Sequence, residues 1–445
     1  MTHSLLESRL ALFPASVAVL QRGSAMRLAI DGQPMDELAE KFGTPLYLYD
    51  RATLDQDLRA YREALLQYYP GRSGITYAGK AFLCLGIAQW AARQQLWLDC
   101  TGAGELAIAR AADVSREQVI AHGVNKSTLD LQAALEHAGT LVVDNLGEIE
   151  RLLEIKQSQA APLPEIWLRY RPGIAVETHS YTQTGQDDSK FGMSADEAFQ
   201  AAGKALAAGL PLNGFHFHQG SKFHDPSPLH QAIESAVGLL ARIKSAFGWT
   251  PGAFSPGGGW GVPYHEDDLP HPAISEYVQY ICACLLQACQ QADLPLPRLQ
   301  LEPGRSLVAR AGVAVYRVGT IKHTSHRRWL LLDGGLADNP RPALYGARYT
   351  ALPVSAPGRT FSSTAWLAGP FCESGDILIE DLLLPEIAAG EFLAIPVSGA
   401  YQLSMASNYN GARKPAVVWL QDGQARLIQQ RERLEDLFRR DLPID

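Results

Sequence analysis

The 445-residue chain is poor in cysteine: the six, at positions 84, 100, 282, 284, 289 and 372, make neither a closely spaced framework nor a paired C-x-x-C. That excludes a disulfide-stapled secreted scaffold and a zinc site of the paired-cysteine type, and it suits a reducing, cytoplasmic setting. Cys282, Cys284 and Cys289 fall in the apolar run YICACLLQACQ, which has no histidine, so they read as small core residues. Long hydrophobic runs are missing too, since nothing approaches the roughly 20 apolar residues of a membrane-crossing helix. The opening SRLALFPASVAVLQRG faintly resembles the apolar core of a signal peptide. Glu7, Pro14 and the want of a small-residue cleavage site argue against that, and the chain is expected to stay unexported. Positive charge is in deficit: 39 basic against 47 acidic residues give −8. A general nucleic-acid surface is therefore disfavoured, while a local basic pocket for small anions is not. Internal repeats and low-complexity segments are absent.

What is present is the composition of a globular protein, 47% hydrophobic and 19% charged, in a chain too long for one ordinary core. From about residue 74, short β-rich runs alternate with helical stretches, as in βα units around a parallel sheet. Eight such runs stand out: residues 74–79, 96–100, 118–123, 140–144, 165–171, 212–218, 252–258 and 298–304. The seventh is the weakest, because Pro256 and its glycines leave little β propensity. After residue 305 strands follow one another without long helices, at VAVYRVGTIKH, RRWLLLDGG, TAWLAGP, EFLAIPVSG and PAVVWLQDGQARLIQQ. The expected architecture is α/β: a (β/α)8 TIM-like barrel over 45–305 and an all-β domain, barrel or sandwich, over 306–445, to which residues 1–44 contribute.

In such a barrel the reactive groups gather at the C-terminal strand ends. Lys80 follows the first run, Asp99 lies in the second, His218 ends the sixth, Gly257, Gly258 and Gly259 close the seventh, and Glu302 and Arg305 close the eighth. Each has an ordinary reading: a surface lysine, a core histidine, a flexible loop, an ion pair. Together they suit one cofactor. Pyridoxal 5′-phosphate needs an amine for its aldehyde, bare backbone for its phosphate and a charged group at its ring nitrogen.

The ordered pieces YAGK, GAGELAIARAAD, AHGVNKS, HSYTQTGQDDSKFGM, FHFHQGS, GGGWGVPY, EPGRSLVARAG, RPALYGA, GPFCESGD and SGAYQLSMASNYNG span roughly residues 45 to 415. They resemble the fold-type III pyridoxal-phosphate decarboxylases, and among these the diaminopimelate decarboxylase branch. The resemblance implies that Lys80 condenses with the cofactor aldehyde, His218 stacks on the ring and Glu302 partners the ring nitrogen. It further implies that Asp99 belongs to the cofactor site and that Ser221, the three glycines and Tyr401 hold the phosphate. Arg305, Arg341 and Tyr345 would bind substrate carboxylates. In a homodimer, Cys372 would donate a proton and Glu373 would contact the distal amino group, both reaching the other subunit's pocket. No metal is implied. The implied reaction is meso-2,6-diaminopimelate to L-lysine and carbon dioxide. Decarboxylation of another diamino, basic or pathway-specific amino acid is the alternative, with a racemase or a non-catalytic cofactor carrier behind it. The sequence departs from the family pattern at Phe82, Cys100, Thr101, Trp260 and Gln402, near the cofactor, which bears on substrate more than on chemistry.

Overall fold

The computed structural model describes residues 2–23, 25–158, 162–174 and 188–444. It divides into two compact units, one of Leu58–Gly261 with Pro272–Ser306, the other of Met1–Asp57, Val262–His271 and Leu307–Asp445.

The first unit is a closed, all-parallel barrel of eight strands. They run Ser73–Ala78, Trp97–Thr101, Val119–His122, Thr140–Val143, Glu165–Tyr170, Leu212–Phe217, Ala253–Gly257 and Arg298–Leu301. Each pairs with the next, and Leu299 opposite Ser73 closes the ring. All eight runs expected from the sequence are strands. Those at 119–122 and 140–143 are buried at every residue, as parallel strands covered by helices must be. Pro256 is accommodated where the pairing skips: Phe254 lies opposite Leu299 and Gly257 opposite Leu301, so the residue without an N–H falls in the irregularity.

The intervening helices bury one stripe each. In Pro228–Phe247, Leu229, Ala232, Ile233, Ala236, Val237, Leu240 and Ile243 recur at helical spacing on the covered face, and Gly248 ends the helix with φ 68°. Ser127 with Asp130 and Ser194 with Glu197 form reciprocal caps that start two others. Towards the N-terminal ends of the strands the barrel is filled by Ile120, Val142, Trp167 and Ala253. Arg298 lies over the Trp97 ring at 4.3 Å, so its charge is housed by aromatic faces. The polar groups are thereby left to the opposite end.

The second unit is built on a mixed sheet whose long strand, Gly312–His323, pairs with Leu46–Asp50, Arg328–Leu332 and Phe392–Ile395. Leu46–Asp50 also runs parallel to Ala416–Gln421. Phe13, Leu28, Met35, Leu48, Val315, Val354 and Val418 are among the residues of its core. Among the strands absent from the sequence reading are Val17–Arg22, Leu352–Pro353 and Ile377–Leu384. The apolar period of Ile377–Leu384 is broken by Glu380 and Asp381, and Asp381 has φ 46°, where the pairing with Ser363–Ala368 changes register.

Gly214 lies opposite Trp167 in the barrel, and a Cβ there would come within 2.2 Å of that fully buried ring. Gly214→Ala should therefore destabilise the protein by about 1–3 kcal/mol, read as a lowered urea midpoint. An unchanged midpoint would contradict this packing.

Candidate active site

The barrel unit places the expected cofactor residues together at its C-terminal end. Beyond Ala78 the first strand turns through the single 3₁₀ turn Gly79–Ala81, which leaves Lys80 exposed. A Cβ on Gly79 would stand 2.7 Å from the Asp99 carbonyl, so the turn's close approach to the second strand requires glycine. The charge of Lys80 is felt by Asp99, Glu105 and His218.

Asp99 is buried, and its Oδ1 has no hydrogen-bond partner. Burial, reinforced by the charge of Glu302 and opposed by Lys80, pushes its carboxyl up to about 8. Glu302, equally buried, is held at both oxygens. Ser255 Oγ donates to Oε1 at 2.8 Å and His216 Nε2 lies 3.0 Å from Oε2. His122 Nε2 stands 3.9 Å from Oε1. Burial works to raise the Glu302 carboxyl, but the two imidazoles and the donated hydrogen bonds outweigh it and hold the group well below the ordinary carboxylate range.

His218 Nδ1 accepts the Gly258 N–H at 3.4 Å, which leaves the proton of the neutral ring on Nε2. Burial first, then the positive charge of Lys80, keeps this imidazole neutral. Gly257 and Gly259 have φ of 76° and 113°. A Cβ on Gly257, Gly258 or Gly259 would meet His218 Nδ1 at 2.5 Å, the Glu302 carbonyl oxygen at 2.2 Å or the Gly220 carbonyl oxygen at 2.4 Å. Only bare backbone passes here. Arg305, buried, donates from Nη2 to Ser221 Oγ at 3.1 Å.

Five residues of this cluster escaped the sequence reading: Glu105, which accepts the Thr101 N–H at 2.6 Å, His122, Arg169, His216 and Ser255. Arg169 is buried, 3.5 Å from Asp144 and over the Phe191 ring at 4.6 Å. Its guanidinium is shifted down by burial despite the acidic neighbours Asp144, Glu302 and Asp99. The signal was period two: His216 and His218 alternate along one strand, as do Trp167 and Arg169, so each pair shares a face.

The second unit carries the other expected residues. Arg341, fully buried at the start of the short helix Arg341–Tyr345, donates to the Tyr349 hydroxyl and lies 4.7 Å from the Tyr264 ring. Tyr345 is half-buried, with its hydroxyl 4.0 Å from Met405 Sδ. Tyr401 has φ 63° and acts electrostatically on Arg341. Cys372 and Glu373 are exposed on the loop 371–376. That loop is tied by Asp376, whose Oδ1 accepts from Leu336 N at 2.7 Å and whose Oδ2 accepts from Phe371 N at 2.9 Å. Part of the HSYTQTGQDDSKFGM motif, residues 179–187, lies outside the described residues.

The barrel site fits a pyridine aldehyde phosphate. It has an amine in reach of solvent, an ionised carboxylate, a neutral imidazole, a buried carboxyl with an unpartnered oxygen, and a turn that excludes side chains. Residues 51–309 match the model of the pyridoxal-dependent decarboxylases, pyridoxal binding domain, and the chain belongs to that family. It is 40% identical over 437 residues to the diaminopimelate decarboxylase of Actinosynnema pretiosum subsp. auranticum, covering 95% of this chain and 94% of that one. Against the same enzyme of Bacillus subtilis the identity is 39% over 421 residues, covering 94% and 95%. Among solved structures, diaminopimelate decarboxylase from M. jannaschii in complex with L-lysine superposes with a TM-score of 0.88 at 29% identity, covering 97% and 98% of the two chains. The Helicobacter pylori enzyme with L-lysine gives 0.82 at 33%, covering 92% and 99%.

Asp99 generates a pH dependence. Folding raises its carboxyl from 3.8 to about 8, so between these values the folded chain holds a proton that the unfolded chain has released. Its contribution to stability therefore falls as pH rises across that window and is level above it. Asp99→Asn, compared with wild type by denaturant unfolding without cofactor, should gain relative stability from pH 5 to pH 8. A difference constant across that range would contradict the assignment.

Proposed function

We propose that this chain decarboxylates meso-2,6-diaminopimelate at its D centre, releasing carbon dioxide and L-lysine, with pyridoxal 5′-phosphate held in the barrel unit. The observation that carries this reading is the convergence of Lys80, Asp99, His218, Gly257–Gly259 and Glu302 on the C-terminal strand ends of one closed barrel. The identity to diaminopimelate decarboxylases along almost the whole chain supports the choice of substrate.

Lys80 would hold the cofactor through its aldehyde, Glu302 would answer its ring nitrogen, His218 would support its ring, and Asp99 would share the site. Ser221, Gly257, Gly258, Gly259 and Tyr401 hold the phosphate, where backbone N–H groups and hydroxyls are the donors required. When bound, the cofactor supplies an electron sink for the pair released as the bond to the departing carboxylate breaks. Arg305, Arg341 and Tyr345 orient the substrate's carboxylates, a task for planar guanidinium groups at a diacid. Cys372 delivers a proton to the α-carbon and Glu373 receives the distal ammonium. As the resemblance to the fold-type III decarboxylases implies, both would serve the pocket of a second copy in a homodimer, and their exposure on the loop 371–376 is compatible with that. Six unpaired cysteines suit a cytoplasmic setting.

The departures from the family pattern count little against this substrate. Phe82, Cys100, Trp260 and Gln402 are buried. Trp260 stacks on Tyr277 with an interplanar angle of 10°, and Gln402 bonds Ser398 Oγ at 3.2 Å. Trp260 and Gln402 are thus engaged by neighbours in their own units. Thr101 alone is exposed.

Purified holoenzyme offered meso-diaminopimelate, lysine and ornithine separately should release carbon dioxide from the first alone, with L-lysine as product. Release from lysine or ornithine instead would replace the substrate, and racemised amino acid without gas would point to a racemase. Lys80→Ala should lower kcat by roughly 10³ or more, and a variant within tenfold of wild type would remove Lys80 from the chemistry.

A further inference from the structure

The buried carboxylate of the barrel site has more support than a simple ion pair requires. Glu302 takes hydrogen bonds at both oxygens, from Ser255 and from His216, and His216 in turn packs edge-on against His122 with ring centroids 5.0 Å apart. His122, His216 and Glu302 are all buried. His216 Nδ1 and His122 Nε2 have no hydrogen-bond partner. The tautomer of His216 follows. A proton on Nδ1 would be a buried donor facing no acceptor, whereas a proton on Nε2 is donated to Glu302 at 3.0 Å. His216 therefore donates from Nε2, and the T-shaped contact with His122 fixes its ring plane.

Resting on the reading that Glu302 faces the ring nitrogen of the cofactor, we propose that His216, steadied by His122, is a positioning residue. Its Nε2–H fixes one carboxylate oxygen of Glu302 while Ser255 fixes the other, so the group meets the ring nitrogen already ionised and already oriented. A carboxylate that had to rotate or shed a proton first would leave that nitrogen unprotonated for part of the time and weaken the electron sink. The hydrogen bonds that His216 and Ser255 donate run the same way, lowering the Glu302 carboxyl against the effect of burial.

The same three side chains are, among the described residues, the group whose ligand atoms lie within 4.8 Å of one another, as metal ligands would. A positioning role for His216 and a metal site differ in what they need. A donor is needed at position 216, and a metal is not.

The test uses holoenzyme loaded with pyridoxal phosphate labelled with ¹⁵N in the ring. In wild type the ring nitrogen should show the protonated shift. In His216→Leu, which keeps volume but not the donor, the shift should move toward the unprotonated value and kcat should fall about ten- to a hundredfold with KM little changed. His216→Asn, which retains an N–H, should recover most of both. Ser255→Ala, a small change that spares the fold should His216→Leu not be tolerated, should move the shift the same way by less. A wild-type shift in both His216→Leu and Ser255→Ala would overturn the proposal. So would activity lost on chelation and restored by zinc, which would make the cluster a metal site. The nitrogen shift needs no substrate, so holoenzyme that shows it yet releases no carbon dioxide would sink the substrate assignment alone.

Discussion

A charged carboxylate inside a barrel is costly to house, and the arrangement around Glu302 follows from that cost. Removing an ionised carboxyl from water is unfavourable by several kcal/mol unless its oxygens are bonded and its charge is answered. Ser255 and His216 bond the oxygens, His122 stands behind them, and Arg169 adds positive charge nearby. The alternative, protonation, is what the protein accepts at Asp99, where Oδ1 has no donor and the charge of Glu302 adds to burial. Two buried carboxyls in one cluster are thus driven to opposite states by what bonds them, a separation typical of catalytic sites.

The barrel supplies the rigidity that such a site requires. Its strands are hydrogen-bonded on both sides, its N-terminal end is filled by Trp167 and the Trp97–Arg298 stack, and its polar residues occupy the end where the strands emerge. Glycine does the fine fitting. At Gly79 and Gly257–Gly259 the backbone comes so near to neighbouring chain that a single methyl group would collide.

Much of this was legible in the sequence, and the divide is physical. Most of the eight barrel strands announced themselves as short β-branched or aromatic runs alternating with helical stretches, and the seventh, with Pro256 and its glycines, did so least. Lys80, Asp99, His218, Glu302 and the glycines stood at their ends, where a charged or unusually small residue is conspicuous. His122, His216, Arg169 and Ser255 were harder to see because they lie within strands, where a polar side chain on the inner face looks like any other break in an apolar run. Only closure of the barrel brings position 216 next to 302, 86 residues away. Ile377–Leu384 was missed for a related reason, since two consecutive acidic residues conceal its alternation.

The account stands on the cofactor being bonded to one amine at the mouth of this barrel. Borohydride reduction of the purified protein followed by peptide mass mapping reads that bond directly. A phosphopyridoxyl group on the peptide containing Lys80, and on no other, is the predicted result. The same group on Lys126, which the structure commits to Glu148 at 2.9 Å, or on no lysine at all, would contradict it.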